Sequence, residues 1–385
     1  MELQKGDQDL VRAQNRALVV NLLRTDAPLS RADIARRTGL APSVLSRLVR
    51  SLIDEGIACE IGKSTPPSGR PATLIELNPS YATSIGIKIE RSRILGAQVD
   101  LMGTILRRAE AAIHRPVRAD RVLEDLVGVV NTLVDGRVLG LGVSVSGFVE
   151  PATGTNLYSP ILEWEDVAVG EALRSSFDLP VRVENDVNGL ALAERWYGAG
   201  RPFQHFICIT VGEGIGAGLV IGGELYRGAF GGAGELGHIT IDPNGPVCRC
   251  RERGCLEVYA SDRFLCEEAE RLGFEGIDPL AAAAREGLAP AREAFRRMGA
   301  NLGVGAKNLV NLLNPEAIIL GGERMGEGDL FVAAFEEVVC QHSFPEEASR
   351  LRIVPAELGG DGFLIGAAAS AALEFFRVPA QVTLS

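Results

Sequence analysis

The chain begins with apolar positions at helical spacing. Leu10, Ala13, Ala17, Val20 and Leu23 recur along one side of "LVRAQNRALVVNLLR" (10–24), which predicts an amphipathic helix. Pro28 breaks that pattern. Ser30 is placed to cap a second helix, "RADIARRTG", with Asp33 at its third position. Gly39 suits the turn that ends it. Pro42 then stands near the first position of a third helix, "APSVLSRLVRSLIDEG". Its Leu45, Leu48, Val49 and Leu52 form one inward stripe, and Ser43, Ser46, Arg47 and Arg50 fall on the other side. Two short helices joined by a tight glycine turn predict a helix-turn-helix, with the later helix as the candidate reader of DNA. "IACEIGKSTPPSGRPATLIELN" continues as strand, basic Gly/Pro loop and strand, which is the pattern of a wing. Arg70, at its tip on a stiff extended backbone, suits insertion into a narrow minor groove.

From residue 84 the pattern changes. "SIGIKIERSRILGAQVDLMGTILRRAEAAI" reads as strands with short turns, and "VLEDLVGVVNTLVD" as a helix. "VLGLGVSVSGFVE" reads as a buried strand entering a glycine turn. "VRVENDVNGLALAERWYGAG" reads as strand, polar turn and helix. "HFICITVGEGIGAGLVIGGELYRG" is strand, glycine loop and strand, and "NLLNPEAIILGG" is a helix end followed by a strand. Alternating strands and helices predict an α/β class. The glycines at 212, 214, 216 and 218 lead into a hairpin rather than a helix, which argues against a dinucleotide fingerprint. Such a turn either wraps a phosphate or simply tightens the hairpin.

Composition adds an asymmetry. The 385 residues are enough for two or three domains, and 46% hydrophobic with 23% charged is ordinary for a soluble protein. No apolar run reaches 18 residues, so no membrane span is expected, and the polar N-terminus carries no signal-peptide core. A cytoplasmic location is the expectation. Of the net charge of −11, residues 1–80 contribute 11 Lys/Arg against 9 Asp/Glu, so the remainder is strongly acidic. Within 12–50, eight Arg face only Asp26 and Asp33. A basic module on an acidic body suggests that the module meets a polyanion. The bland alternative is a structural three-helix domain with solvated arginines. Cys59, Cys208, Cys266 and Cys340 are scattered, fit no disulfide framework and are expected to be buried apolar residues.

The remaining three of the seven Cys, and one of only four His, fall in "HITIDPNGPVCRCRERGC" (238–255). That His-x9-Cys-x-Cys-x4-Cys pattern, with "VENDVNGLALAERWYGAG", "VGEGIGAGLVIGG", "GGAGELGHITI" and "CRCRERGCLEVYAS", resembles the ROK family of repressors and sugar kinases. The resemblance runs from about residue 84 to 375. The preceding module, including "SGRPATLIELN", resembles the winged helix of the family's repressor branch. The implied fold is an N-terminal winged helix-turn-helix followed by a two-lobed actin/hexokinase-like body. Residues 1–80 would form the DNA-binding domain, 81–190 the first lobe with a C-terminal helix near 363–377, and 191–362 the second lobe with the zinc loop.

His238, Cys248, Cys250 and Cys255 supply one imidazole and three thiolates, a closed tetrahedral set for one structural Zn2+ with no place left for water. The CxC spacing is tighter than the usual CxxC, and unmetallated thiols are the alternative. By resemblance, Asn185, Asp186, Glu235, His238 and Glu257 bind a sugar between the lobes. His238 could serve both sites, one ring nitrogen on the metal and the other toward the sugar. Ser146 and Gly147 are further candidates on the opposite wall. Ile161 stands where family members often carry a sugar-binding Asn.

In the family's kinases the position of Asp186 is the general base. The kinase phosphate motif resembles D-x-G-G-T, but this chain has Lys88, Ile89, Glu90, Arg91 and Ser92 in that register. Glu213 further sets a carboxylate where a G-T-G turn would meet phosphates, an unscreened contact costing on the order of a few kcal/mol. No ATP binding and no kinase activity are expected. The expected function is a sugar-responsive repressor. It would bind a palindromic operator as a homodimer or dimer of dimers, with a sugar effector and no membrane partner. The alternatives are a sugar kinase with an appended DNA-binding domain, and an interaction protein controlled by another protein.

Overall fold

The computed structural model describes residues 8–64, 71–114, 118–342 and 350–378. The N-terminal module consists of α1 (Gln8–Asp26), β1 (Leu29–Ser30), α2 (Arg31–Thr38), α3 (Pro42–Asp54), β2 (Ala58–Lys63) and β3 (Thr73–Leu77). Ser30 caps α2 as its spacing predicts. Its Oγ accepts from the Asp33 N–H at 3.2 Å and donates to Asp33 Oδ2 at 2.6 Å. That hydroxyl bond holds the Asp33 carboxyl below its usual range. Gly39 takes φ 71°, where a Cβ is disfavoured, and its N–H closes on the Ala35 carbonyl at 2.9 Å. The turn sends α3 back across α2, burying Leu45, Val49 and Leu52 against Ile34, Ile57, Ile75 and Leu77. Leu48 of the expected stripe is only half-buried, at its edge. β2 and β3 pair antiparallel as the stem of the wing. The wing tip, including Arg70, lies outside the described residues.

The body holds two five-stranded sheets built to one plan. In the first, β4 (Thr83–Ile89), β5 (Arg93–Asp100) and β6 (Ile105–Ala112) form an antiparallel meander. After α4 (Ala119–Leu133), β7 (Val138–Val145) joins β4 in parallel. A small antiparallel sheet, β8 (Phe148–Glu150), β9 (Thr155–Ser159) and β10 (Trp164–Val167), and then α5 (Val169–Ser176) precede β11 (Val181–Asn185), parallel to β7. α6 (Asp186–Tyr197) follows at once. The polar turn expected between strand and helix does not exist, because Asn185 ends one and caps the other.

The second sheet repeats the scheme. β12 (Phe206–Val211), β13 (Ile215–Ile221) and β14 (Glu224–Tyr226) form a meander. α7 (Glu257–Ala260), α8 (Asp262–Arg271), α9 (Ile277–Arg285) and α10 (Ala289–Leu313) lead to β15 (Ala317–Gly321), parallel to β12. α11 (Gly328–His342) leads to β16 (Arg352–Pro355), and α12 (Gly362–Ala371) closes the body. A structural repeat of this kind was not legible in the sequence, because the two halves share no recurring motif.

The two repeats exchange helices. Ile85, Ile87, Ile89, Leu141, Val143 and Val145 point to one face of the first sheet, where α4 buries Val122, Leu126 and Val130. The alternate positions carry Gly86 and Gly142, and against them lies α12, which belongs to the second half. A Cβ on Gly142 would stand 1.8 Å from the Ala367 carbonyl oxygen, and one on Gly86 2.0 Å from that of Leu364. Conversely α6, from the first half, buries Leu190 and Ala191 with Phe206, Cys208, Val220 and Ile319 of the second. The N-terminal module joins this arrangement: Val19, Val20 and Leu23 of α1 share one hydrophobic cluster with Leu192, Trp196, Ala369 and Phe376.

The scattered cysteines divide. Cys208 is buried and Cys59 half-buried, but Cys266 and Cys340 are exposed, contrary to expectation. They stand on the outward faces of α8 and α11, whose inward positions are filled by Phe264, Leu265, Phe335 and Val339. Among the described residues no helix is long and apolar enough to cross a membrane.

Gly142→Ala is expected to cost about 2–4 kcal/mol, because the new methyl meets backbone that cannot rotate away. Urea unfolding of the full chain, compared with Gly128→Ala on the open side of α4, measures it. Equal midpoints would refute the close-packing account.

Candidate ligand cleft and metal centre

Asn185 and Asp186 lie at the β11–α6 junction. Asn185 Oδ1 accepts from Val187 N at 2.9 Å and Asn188 N at 3.3 Å, and its Nδ2 donates to the Gly147 carbonyl at 3.1 Å. One Nδ2 hydrogen is left for a ligand. Asn185 is therefore first a cap that fixes where α6 begins. Asp186 is half-buried at the first helical position. Desolvation pushes its carboxyl above the usual range, with Glu323 adding and Lys88 opposing. Glu235 is pushed the same way by desolvation, opposed by His238 and reinforced by Asp186 and Glu257. Glu235 thus lies within electrostatic reach of Asp186, His238 and Glu257.

Glu257 opens α7 and is 6% exposed. Arg249 Nε reaches its Oε1 at 2.8 Å, and Arg249 Nη2 donates to the Glu213 carbonyl at 2.9 Å. The charges at 249–253 read as a solvated loop in sequence. Arg251, Glu252 and Arg253 are exposed as expected, but Arg249 is half-buried and ties the cleft carboxylate to the β12–β13 turn. Alternation of Arg and Glu gave no signal that one member turns inward. Ser146 is buried and shares a 2.8 Å hydroxyl contact with Ser159. Gly147 supplies the carbonyl that holds Asn185. Ile161 Cδ1 lies 4.0 Å from where a Cβ on Gly214 would be, so an apolar side chain meets the glycine turn.

The four soft donors come together. Cys248 Sγ is 3.7 Å from His238 Nδ1, Cys250 Sγ is 3.5 Å from Cys255 Sγ, and all four donor atoms lie within 4.8 Å of one another. A tetrahedron with metal–sulfur bonds of about 2.3 Å has edges of roughly 3.8 Å, so the donors fit a soft divalent ion. Burial pushes the Cys255 thiol up to about 12 and the Cys248 thiol upward as well. Thiolates there need a compensating cation, which such an ion supplies. The loop is braced by the Thr240–Cys255 and Val247–Arg253 bridges. Gly254 at φ 65° admits no side chain, since a Cβ would fall 1.5 Å from the Asp242 carbonyl. Cys248 Sγ is 4.0 Å from Glu257 Oε1, so the donor cluster adjoins Glu257.

Lys88, Glu90 and Arg91 are held by ion pairs. Lys88 is buried, its Nζ 3.6 Å over the Phe363 ring, 3.4 Å from Glu90 and 3.5 Å from Glu323. Arg91 Nη1 crosses from the first half to Glu213 Oε1 at 2.8 Å. Glu213 is therefore paired, not bare as the sequence suggested. A cavity of about 890 Å³ alongside is lined by Lys88, Arg93 and Arg108 but also by Glu90, Glu110, Glu323 and Asp361. Ser43, Ser46, Arg47 and Arg50 are all exposed along α3.

Comparison with known proteins agrees with this architecture. The ROK family matches residues 84–373, and a winged helix-turn-helix DNA-binding domain matches residues 14–58. The chain belongs to the ROK family, with a winged helix-turn-helix at its N-terminal side. It is 30% identical to the xylose repressor of Caldicellulosiruptor bescii, covering 97% of this chain and 99% of that one. It is 29% identical to the DNA-binding transcriptional dual regulator NagC of Escherichia coli, covering 93% and 92%. The crystal structure of a ROK family transcriptional regulator, a homologue of the Escherichia coli MLC protein, superposes with TM-score 0.78 at 27% identity, covering 96% of this chain and all of that one. A ROK family glucokinase from Streptomyces griseus, in complex with glucose and AMPPNP, superposes with TM-score 0.66 at 32% identity, over 74% of this chain and 98% of that one.

Cys250→Ser is expected to remove tightly bound divalent metal and to lower the thermal midpoint of the body, while the N-terminal module stays folded. Metal analysis with calorimetry checks both. A variant that keeps its metal and its midpoint would show that Cys250 is not a ligand.

Proposed function

We propose that the chain is a sugar-responsive repressor of carbohydrate-metabolism genes, acting in the cytoplasm as a homodimer or dimer of dimers on a palindromic operator. The observation that carries this reading is the path of α6. Its first residue Asp186 and its cap Asn185 are two of the residues we assign to the sugar, and Leu192 and Trp196 near its other end lie in the hydrophobic cluster of the DNA-binding module. Twelve residues of helix span about 18 Å, and the helix joins the two sites as one rigid element. A sugar held by Asp186, Glu235, His238 and Glu257 acts on the near end of that rod. It shifts operator binding by as much as it prefers one arrangement of the lobes over the other. The direction we favour is release from DNA.

Zn2+ is the ion that best suits one imidazole and three thiols. It would hold the loop that presents His238 and Glu257 and take no part in chemistry. With Nδ1 on the thiol side, the other nitrogen of His238 is free for a sugar hydroxyl. Ser43, Ser46, Arg47 and Arg50 would meet the major groove, and Arg70 the minor groove.

The body is not a kinase in this reading. Lys88 fills the phosphate register from within, Arg91 and Glu213 pair across it, and the neighbouring cavity carries one more carboxylate than cations. Asp186 then remains as the vestigial base position and serves as a hydroxyl acceptor. The Arg91–Glu213 pair is about half exposed and contributes at most ~1 kcal/mol. It ties the lobes lightly enough for a ligand to re-set them. The kinase alternative retains support from Asp186 and from the likeness to a glucokinase.

Operator binding by fluorescence anisotropy decides between them, with xylose and N-acetylglucosamine first in the panel because the relatives carry those names. One sugar is expected to weaken operator binding at least tenfold, and Asp186→Asn to lose that response while binding operator normally without sugar. Arg47→Ala should weaken operator binding about tenfold, in the ~1–3 kcal/mol range of a base contact. Since Asp186 titrates above the usual carboxylate range, its acceptor form is lost as pH falls, at higher pH than an ordinary Asp near ~4. The sugar response should fade there first. Unchanged affinity across the panel would sink the small-molecule switch, and sugar-dependent ATP turnover abolished by Asp186→Asn would establish the kinase.

A further inference from the structure

Glu184 is the penultimate residue of β11, directly before the candidate sugar residues Asn185 and Asp186. Its Oε1 accepts from Asn188 Nδ2 at 3.1 Å and from the Asn185 N–H at 3.3 Å, so one carboxylate oxygen braces the strand-to-helix junction of the first half. Its Oε2 accepts from Arg227 Nε at 2.5 Å, and Arg227 belongs to the second half, directly after β14. The side chains of this pair are 11% and 30% exposed, whereas those of Glu213 and Arg91 are about half exposed. A pair so shielded is screened little by salt, and removing one member leaves the other poorly solvated.

Arg227 also opens a closed loop. Its carbonyl accepts from Ala233 N at 3.1 Å, which ties the ends of 227–233 together. The next residue is pinned to the second sheet, the Gly234 carbonyl accepting from Ala217 N at 2.8 Å, and Glu235 follows. The loop meets the first half through glycine backbone. A Cβ on Gly231 would lie 2.6 Å from the Val149 carbonyl oxygen, and one on Gly232 2.1 Å from the Phe148 ring, both on β8. Ala229 is exposed, and Phe230, the large apolar side chain of the loop, is 80% exposed. The loop therefore brings little apolar burial to that contact, and the ion pair is what fastens it to the first half.

We propose that Glu184 and Arg227 are a positioning pair for the ligand cleft. The pair clamps loop 227–233 of the second half onto the β11–α6 junction of the first, and so sets Glu235 relative to Asn185 and Asp186. On one side the clamp is a single residue from Asn185. On the other, the loop that Arg227 closes ends two residues before Glu235. Neither Glu184 nor Arg227 touches the ligand in this arrangement. They act through the residues they hold. The effect on sugar binding rests on the proposed sugar cleft, and the clamp itself does not.

The test compares the full chain with Glu184→Gln, Arg227→Gln and the double variant. Glu184→Gln keeps an oxygen for Asn188 and the Asn185 N–H while removing the charge, and Arg227→Gln removes the partner. The loop is read first, without ligand, by limited proteolysis with chymotrypsin. Cleavage after Phe230, located by mass spectrometry, should be at least fivefold faster in each single variant, because the loop opens locally more often. Calorimetry with xylose and N-acetylglucosamine reads the cleft. The affinity of whichever sugar binds the wild type should fall at least tenfold in each single variant. The double variant should bind no more weakly than the worse single one, since the two residues act as one pair. Arg227→Lys, which keeps the charge, should recover part of the loss. Wild-type cleavage and affinity in both single variants would overturn the proposal. A lowered thermal midpoint with unchanged affinity would make the pair merely structural and overturn its positioning role, and losses that multiply in the double variant would overturn the pairing. Faster cleavage in the variants, with neither sugar binding the wild type, would uphold the clamp and count against the sugar reading instead.

Discussion

The structure depends on the close approach of two helices. A Cβ on Gly366 of α12 would stand 1.8 Å from the Gly189 carbonyl oxygen of α6, so backbone lies on backbone between two sheets that are otherwise separate units. Because each helix comes from one half and packs on the other, neither half can move without carrying a helix of its partner. The N-terminal module is fastened to the same pair through Trp196, Ala369 and Phe376. Tight packing of this kind transmits displacement instead of absorbing it, and α6 carries Asp186 at one end and Trp196 at the other.

Charge burial shapes the cleft in a second way. Desolvation raises Asp186 and Glu235, and the charges of Asp186 and Glu257 both act on Glu235. Such crowding is unfavourable for the empty protein and favourable for a ligand rich in hydroxyl donors. Lys88 and Arg249 offset part of it from opposite sides, one beside Asp186 and one on Glu257. Lys88 and Arg249 thus supply counter-charges to the cleft carboxylates.

The metal donors bear on the same acceptors through geometry. Glu257 is two residues past Cys255, and His238 is both a donor and a neighbour of Glu235. A loop of eighteen residues with little apolar content has no core of its own. Its positions are held by Ile239 and Ile241 packed on the core of the second half, by two isolated bridges and by one glycine pressed against a carbonyl. Whatever holds the four donors also holds Glu257 beside them.

The sequence by itself determined the module and the class of the body. Caps, a glycine turn and a proline start act over three or four residues, so Ser30, Gly39 and Pro42 specified their helix ends with no help from distant parts of the chain. Spacing likewise gathered His238 and the three cysteines, because a metal set within one loop is a local object. What only the tertiary structure decided are contacts between residues far apart in the chain. These are the exchange of α6 and α12, the inward turn of Arg249, the pairing of Arg91 with Glu213, and the stacking of Arg24 on Trp196. No periodicity encodes them, since each depends on which face of one element meets which face of another. The outward cysteines 266 and 340 make the same point in reverse: residue type set the expectation of burial, and the side of the helix overruled it.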